Sequence, residues 1–538
     1  MIKLLIQTVN HHRYSIRMET VMKLALSSTI SKIDKYSQTE LGISLKELMK
    51  KSGEAIVRTV RKRVSPGSTV AILAGKGNNG GDGYCVATVL MDEYDVTVFD
   101  IFSAGQKGIE GREFLSLYKE RGGKILNFEP TSEILSQIKT SNCIIDAVFG
   151  TGFHGEMPES IRPLAITVRE AVEAQKIAVD VPLGINADNG SVSEFAIAVG
   201  ATVELSFVKP GIVSYPARSY VGEIVYDSLG LPEEKITSAF PFKYYTVDES
   251  FASLKLPIRE ANSNKGSFGK LLVITGSKKY RGAAHLSLES ALRGGVGLVS
   301  YLGCEELIFE LSQKYPEVIY NKIEDMEKIS DSDIAYAVEL SKKHTATLIG
   351  SGSDSTDGLL RLVLALLSSD GGTLILDADA INVLATMGED GIDAIKSSKR
   401  KVVLTPHPLE FARLIGTDVA SVQSNRLAFA ENLAQKTSAT VVLKGAGTVI
   451  ADENEVYINV NGSSALAKAG SGDVLAGLIG SFSAQNKLPD NIAAALAVYY
   501  HALAADVLAA EFSSYGVTPS DLPREIARQI AKSEGGRQ

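Results

Sequence analysis

"AGKGNNGGDGY" (residues 74–84) packs five glycines and two adjacent asparagines between a β-branched apolar run and a helix-forming one. Gly75, Gly77 and Gly80 satisfy G-x-G-x-x-G, and Asp100 follows about 20 residues on, where a dinucleotide fold keeps its ribose-binding acid. In that fold the helix begins near the second glycine and meets a pyrophosphate with its N-terminus. Here Gly80, Gly81 and Gly83 follow, and three such glycines weaken a first helical turn. Asp82 is therefore expected to cap a helix "GYCVATVLM". The loop then exceeds a dinucleotide turn and projects Asn78, Asn79 and Asp82, polar groups suited to a phosphate-bearing ligand and a cation. It lacks the G-K-[ST] ending of a P-loop. A tight turn needing positive φ would explain the glycines, but not Asn-Asn and Asp together.

Working outward, short β-branched runs alternate with helix-like segments: "TVAILAG", "DVTVFDI", "CIIDAVFG", "KIAVDVP". This reads as a parallel sheet covered on both faces. The pattern lapses between residues 232 and 264, a stretch with prolines, charges and little periodicity. It then restarts with "GKLLVITGS", "GLVSYLG", "ATLIGSG", "GGTLILDADA", "KVVLTPHP" and "ATVVLKGAGTVI". A chain of 538 residues exceeds one ordinary core. The expectation is an α/β protein of two domains, residues 22–235 and 245–535, with 1–21 an extension if Met18 or Met22 is the true start.

Two further loops of the first half carry acids near strand ends. "DAVFGTGFHG" places Asp146 before a glycine-rich turn with His154, and "VDVPLGIN" places Asp180. Ligands of open α/β sheets sit outside the carboxyl ends of strands, where Asn79, Asp146 and Asp180 can converge. A lone Asp is more often a cap or turn residue; three on corresponding strand ends favour a site. These three motifs, in this order, closely resemble the NAD(P)H-hydrate epimerase family, the N-terminal YjeF domain. The resemblance implies a Rossmann-like doubly wound fold that binds NAD(P)H hydrated at nicotinamide C6. By resemblance, Asn78, Asn79, Gly80, Gly81 and Asp82 cradle the ligand, with Gly150, Thr151, Gly152, Phe153, His154, Gly155 and Glu156. Asn79 and Asp146 hold a potassium ion, and Asp180 is the acid/base candidate. Where the family usually has serine, this chain has Leu183; a side-chain oxygen ligand would be lost there, a backbone carbonyl kept. The C6 centre is a hemiaminal, so it can invert by reversible C–O loss or ring opening once a group moves protons.

The second half has another signature. "NGSSALAKAGSGDVLAGLIGSFSAQ" sets Gly470, Ser471, Gly472 and Asp473 before an apolar helix. Small residues let backbone N–H groups approach an anion, and Asp473 stands where a base can deprotonate a hydroxyl. The bland alternative makes Asp473 a helix cap. With "KGSFGKLLVITGSKKYRGAAHLS", "LIGSGSD", "LDADAIN", "LTPHPLEFARL" and "VVLKGAGTVI", this loop resembles the NAD(P)H-hydrate dehydratase family, the C-terminal YjeF domain. The resemblance implies a ribokinase-like α/β fold and nucleotide-driven phosphorylation of the C6 hydroxyl, phosphate loss restoring NAD(P)H. By resemblance, Ala283, Gly352, His407 and Asp473 face the hydrate. Lys444, Gly445, Ala446, Gly447 and Thr448 line the nucleotide, with Ser463, Ser464, Ala465, Leu466, Ala467, Lys468, Ala469, Gly470, Ser471 and Gly472. "LIGSGSD" departs from the more usual G-P-G-L-G, which weakens the case for Gly352. His407, between two prolines, also reads as a packed turn residue. The fused architecture implies ADP as donor, with Mg²⁺ for phosphoryl transfer.

Composition limits the rest. Net charge is −8, which disfavours nucleic acid or an anionic membrane as partner. Cys85, Cys143 and Cys304 are far apart, as in a reducing cytoplasm and unlike a disulfide scaffold or zinc site. No apolar run is read as a membrane helix, and the partners expected are NADHX, NADPHX, ADP and further copies of the chain. Three other functions compete: a small-molecule kinase beside a non-catalytic dinucleotide-binding module, a scaffold, and a dehydrogenase. The length of the opening loop counts against the last.

Overall fold

The computed structural model describes residues 21–102 and 108–535, so the proposed extension lies outside the described residues apart from Val21. The chain divides into two compact units, Lys23–Tyr244 and Tyr245 onward with residues 21 and 22. In the first, seven parallel strands form one sheet: Thr69–Ala74 (β1), Asp95–Asp100 (β2), Lys124–Asn127 (β3), Cys143–Ala147 (β4), Gln175–Val179 (β5), Ala201–Leu205 (β6) and Glu223–Asp227 (β7). Their order is β3-β2-β1-β4-β5-β6-β7, the doubly wound Rossmann order, with its switch point between β1 and β4. Alternation along β1 fills both faces: Val70, Ile72 and Ala74 enter one apolar cluster, Ala71 and Leu73 the other.

Helix α1 spans Ser27–Thr39, α2 Asn78–Leu90 and α3 Ile109–Glu120. Helix α2 corrects the sequence reading. Its N-cap position is Gly77, so Asp82 lies inside the helix and the loop is no longer than a dinucleotide turn. The glycines that propensity counts against a helix are required by packing. A Cβ on Gly80 would lie 2.0 Å from the Gly75 carbonyl oxygen. One on Gly81 would lie 2.6 Å from Met49 Cε and 3.2 Å from the Gly111 backbone in α3, and one on Gly83 3.0 Å from Ala147. Close approach thus overrides the cost of about 1 kcal/mol per glycine.

In the second unit, strands Tyr244–Val247 (β8), Lys270–Ile274 (β9), Leu298–Gly303 (β10), Ile319–Lys322 (β11), Ala346–Ile349 (β12), Thr373–Leu376 (β13), Val402–Leu404 (β14), Thr440–Leu443 (β15), Val449–Ala451 (β16) and Val456–Asn459 (β17) run in the order β8-β17-β16-β15-β14-β13-β12-β9-β10-β11. Pairing is parallel from β15 through β14, β13, β12, β9 and β10 to β11, and antiparallel between β15 and β16 and between β16 and β17. Helices α4 (Arg281–Arg293), α5 (Pro408–Ile415), α6 (Ser471–Ala484) and α7 (Asp490–Gly516) matter below. A Cβ on Gly477 would lie 2.3 Å from the Ser287 carbonyl oxygen, so α6 presses on α4. Helix α7 is long and apolar enough to cross a membrane, contrary to the sequence reading, but 78% of its apolar window is buried. It is a core helix of this unit.

Candidate active sites

The loops after β1, β4 and β5 meet at the carboxyl edge of the first sheet. Asn79, in the first turn of α2, donates through Nδ2 to the Phe149 carbonyl at 2.8 Å, and its Oδ1 is buried without a partner. Gly150 sits between the loops: a Cβ there would lie 3.2 Å from Asp180 Oδ2 and 3.5 Å from Asn79 Cγ. Asp146, 1% exposed, accepts from the Val148 N–H (3.2 Å) and the Leu183 N–H (2.6 Å). Burial nevertheless pushes its carboxyl up to about 7. Asp180 holds φ at 66°, a region that non-glycine residues enter rarely. Its carboxylate pairs with Lys209, which is fully buried and also bonded to Glu204 (3.2 Å) and the Leu205 carbonyl (3.2 Å).

The remaining residues of this half sort by contact. Phe153 packs against Phe149 with ring centroids 5.4 Å apart. Thr151 gives its carbonyl to the Ser27 hydroxyl, His154 shares a 3.0 Å contact with Asn186, and Gly152, Gly155 and Glu156 are exposed. Asn78 is exposed at the helix mouth, whereas Gly80 and Gly81 turn their missing side chains into the fold. Asp82 is buried, its carboxyl raised by that burial and then by Asp180, and it bonds Ser52. Leu183, counted among the ion's neighbours, has its side chain 0% exposed in an apolar cluster, and its carbonyl accepts from the Ile197 N–H. Asp100 is 6% exposed and lies beside Tyr84, whose hydroxyl is kept from ionising by burial and then by this charge, so the acid at the dinucleotide position is turned into the fold. Sequence reasoning missed Lys209 and Glu204. Their one signal was a pair of charges inside the apolar run "ELSFVKPGIV".

In the second unit the motifs also assemble. Gly470, with φ at 99°, occupies the N-cap position of α6, so Asp473 is a first-turn residue and not the cap. Hydroxyls of Ser287 and Ser290 on α4 bond the Asp473 and Val474 carbonyls, fixing that turn. Burial first, then Asp377, pushes the Asp473 carboxyl up to about 7; Lys444 opposes them. Lys444 binds Asp377 at 2.9 Å and lies 3.9 Å from Glu410. Asp377 is 1% exposed and also accepts from Ser351 (2.7 Å) and Thr405 (2.6 Å). Burial lifts Glu410 to about 7 as well. His407 caps α5: its Nδ1 accepts from the Leu409 and Glu410 N–H groups, and its Nε2 lies 3.1 Å from Glu410. Burial, then Lys444, lowers its pKa, consistent with a neutral acceptor.

Gly352, the departure from the usual motif, still packs on Ala283; a Cβ there would meet that methyl at 2.7 Å. In the nucleotide loops, Thr448 bonds the Gly445 carbonyl and Gly445 lies against Arg426. Gly447 turns at φ 60°, and Ala446 is exposed. Ser463 caps a short turn containing Ser464, with Ala465 and Leu466 packed into the core. Ala467 and Ala469 are exposed. Lys468 is tied to the carbonyls of Tyr515 (2.6 Å) and Val517, so it braces the loop against the end of α7. Ser471 Oγ is buried without a partner, and a Cβ on Gly472 would lie 3.4 Å from Lys444 Nζ. Asp377 and Glu410 lay within quoted motifs but were not assigned, because an acid beside a proline or helix start reads as a cap.

A Rossmann-type sheet with carboxylates at its switch point, followed by a ribokinase-like unit with a half-buried carboxylate at a helix N-terminus, defines a two-site enzyme of dinucleotide and phosphoryl chemistry. Comparison with known proteins names the family. The profile of the NAD(P)H-hydrate dehydratase family matches residues 271–528, and that of the YjeF-related protein N-terminus matches 45–211. The bifunctional NAD(P)H-hydrate repair enzyme Nnr of Moorella thermoacetica is 31% identical over 93% of this chain and 95% of its own. Those of Thermofilum pendens and Escherichia coli are 32% and 33% identical, over 95% and 91% of this chain and 96% and 90% of theirs. The ADP/ATP-dependent NAD(P)H-hydrate dehydratase of Bacillus subtilis, co-crystallised with ATP and Mg²⁺, is 30% identical with a TM-score of 0.46, covering 53% of this chain and 96% of that one. The chain belongs to the family of bifunctional NAD(P)H-hydrate repair enzymes.

Proposed function

We propose that the first unit interconverts the R and S epimers of NAD(P)H hydrate at Asp180 and that the second dehydrates the S epimer at Asp473, with ADP as phosphoryl donor. The observation that carries this is a carboxylate under the influence of a lysine at each helix N-terminus: Asp180 is ion-paired with Lys209 beside α2, and Asp473, in the first turn of α6, feels the charge of Lys444, which is itself paired with Asp377. In the first unit, free N–H groups of α2 bind the substrate phosphate, and Phe149 and Phe153 wall the nicotinamide side. Asp180 takes and returns the proton of the C6 hydroxyl. The orphaned Asn79 Oδ1 and the carboxyl of Asp146 are hard oxygen donors that fit a potassium ion. Leu183 adds no side-chain oxygen. When bound, the ion supplies positive charge beside the substrate phosphate.

In the second unit, Asp473 removes the proton of the C6 hydroxyl. That oxygen bonds the terminal phosphorus of ADP, and AMP leaves. Phosphate then departs from C6, a ring proton is lost, and NAD(P)H is restored. Backbone N–H groups of Ala469, Gly470 and Gly472 face the phosphoryl group, while the Ser471 N–H holds the loop by donating to the Lys468 carbonyl at 3.2 Å. Asp377, Asp379, Glu410 and Asp473 share one ammonium, Lys444. This excess negative charge fits Mg²⁺, which would supply electrostatic stabilisation of the phosphoryl oxygens. Among the described residues no three carboxylate, imidazole or thiol groups form a ready cage, as expected for an ion that keeps waters and substrate phosphates as ligands. A cytoplasmic, oligomeric enzyme acting on both NADHX and NADPHX is proposed with this reading. Incubation with epimeric NADH hydrate, with and without ADP, tests it. NADH should regenerate fully with ADP and not without; accumulation of a stable phosphorylated product would make the second unit a kinase instead.

A further inference from the structure

Lys209 belongs to no motif, yet its side chain is 0% exposed, as is that of its partner Glu204. Its three ammonium protons have three acceptors: Asp180 Oδ1, Glu204 Oε2 and the Leu205 carbonyl. It therefore has no proton to offer a ligand and no surface with which to touch one. What it does is fix Asp180. By engaging Oδ1 it leaves Oδ2 turned to Gly150, where a Cβ would already intrude at 3.2 Å. Asp180 holds φ at 66° in the sparsely populated left-handed region, and the surrounding structure has to over-determine that conformation.

We propose that Lys209 is the positioning residue of the epimerase, holding the Asp180 carboxylate with Oδ2 toward the substrate, and that Glu204 anchors Lys209 from behind. This rests on the reading of Asp180 as the proton-transfer group. The charged and titratable groups facing Lys209 are Asp180 after β5, Glu204 on β6, Asp34 on α1, Asp82 on α2 and Tyr226 on β7. Burial opposes its charge, but Asp180 and Glu204 outweigh burial and raise its pKa. Burial lifts Glu204 to about 8 and Asp34 to about 6. A single ammonium thus offsets several carboxyls, and its removal leaves Asp180 facing like charges.

The test uses the full chain with ADP present, reading R-hydrate conversion to NADH so that epimerisation limits the rate. Lys209→Met should lower kcat about a hundredfold with KM within about threefold. Lys209→Arg, which keeps the charge, should recover at least tenfold. A purely structural role predicts loss in KM and stability without rescue by Arg. Glu204→Gln keeps the volume and should lower kcat about tenfold at unchanged KM, which covers the case in which Lys209→Met fails to fold. Wild-type kcat in Lys209→Met, or wild-type kcat in Glu204→Gln, overturns the proposal. Asp180→Asn run in parallel separates the two ideas. If it epimerises at the wild-type rate, the reading of Asp180 fails; if only the Lys209 and Glu204 variants are unaffected, Asp180 stands and this proposal falls.

Discussion

Asp473→Asn is the most direct probe of the second site. The carboxyl sits in the first turn of α6 and burial pushes it up to about 7. The active form is the carboxylate, so kcat/KM for ADP-dependent dehydration of S-hydrate should rise with pH and level above about 7. At pH 6 it should be about one tenth of the plateau, since one unit below a pKa leaves about a tenth ionised. Asparagine keeps the shape and removes the base. Loss of a general base costs about 10²–10⁴ in rate, or about 2.7–5.5 kcal/mol of barrier. Because Gly470 and not Asp473 holds the cap position, the helix should keep its stability. The assay is stopped-flow absorbance of NADH with purified S-hydrate, alongside calorimetric titration with ADP. Nucleotide affinity should change little and epimerisation not at all. Dehydration by the variant within threefold of wild type, or a wild-type profile flat from pH 5 to 8, would refute the assignment of Asp473 as base.

Three further outcomes are expected. Asp180→Asn should reduce R/S interconversion, followed by chromatography, to the spontaneous rate while S-hydrate dehydration continues. Crystals grown in rubidium should show an anomalous peak beside Asn79 Oδ1 and Asp146; its absence removes the potassium assignment. Lys444→Met removes the partner of Asp377, which is 1% exposed, and should cost about 3–5 kcal/mol in chemical denaturation of the second unit. Because Lys444 holds the Asp473 carboxyl down, its loss should also move any residual acid limb above pH 7.

The central parallel strands were legible because buried parallel strands spell themselves as unbroken apolar runs, whereas edge strands such as Lys124–Asn127 and Ile319–Lys322 and the antiparallel Val456–Asn459 were not read. Nor was the start of α2. Propensity reads Gly80, Gly81 and Gly83 as helix breakers, and only the tertiary contacts with Gly75, Met49, Gly111 and Ala147 explain them. The same limit hid the buried role of Asp82, which local reading makes a cap. The place of Asp473 just inside a helix start was legible because a run of contiguous small residues precedes an apolar helix there. Lys209 and Glu204 were not, because their meaning lies in Asp180, which is distant in sequence and adjacent only through the β5–β6 pairing. Lys468, placed along the nucleotide only by resemblance, has its ammonium on the Tyr515 and Val517 carbonyls, contacts that no local sequence pattern announces.

The question raised by the first glycines has a structural answer that loop length did not supply. The turn after β1 has the length and helix geometry of a dehydrogenase turn, and the strand order is the dehydrogenase order. The difference is in the acids. At the end of β2, Asp100 is only 6% exposed and lies beside Tyr84, so little of it is open to a ribose hydroxyl. The carboxylate proposed to move the proton, Asp180, instead follows β5, and the buried Asp146 lies near the end of β4, on the other side of the switch point. A hydride-transfer site needs no carboxylate–lysine pair there, because the cofactor supplies the reacting atom. A site that moves a proton at a hemiaminal does, because neither backbone N–H groups nor a bound alkali ion can accept one. The same glycine-rich frame therefore serves a different reaction once charge is withdrawn from β2 and concentrated behind β4 and β5.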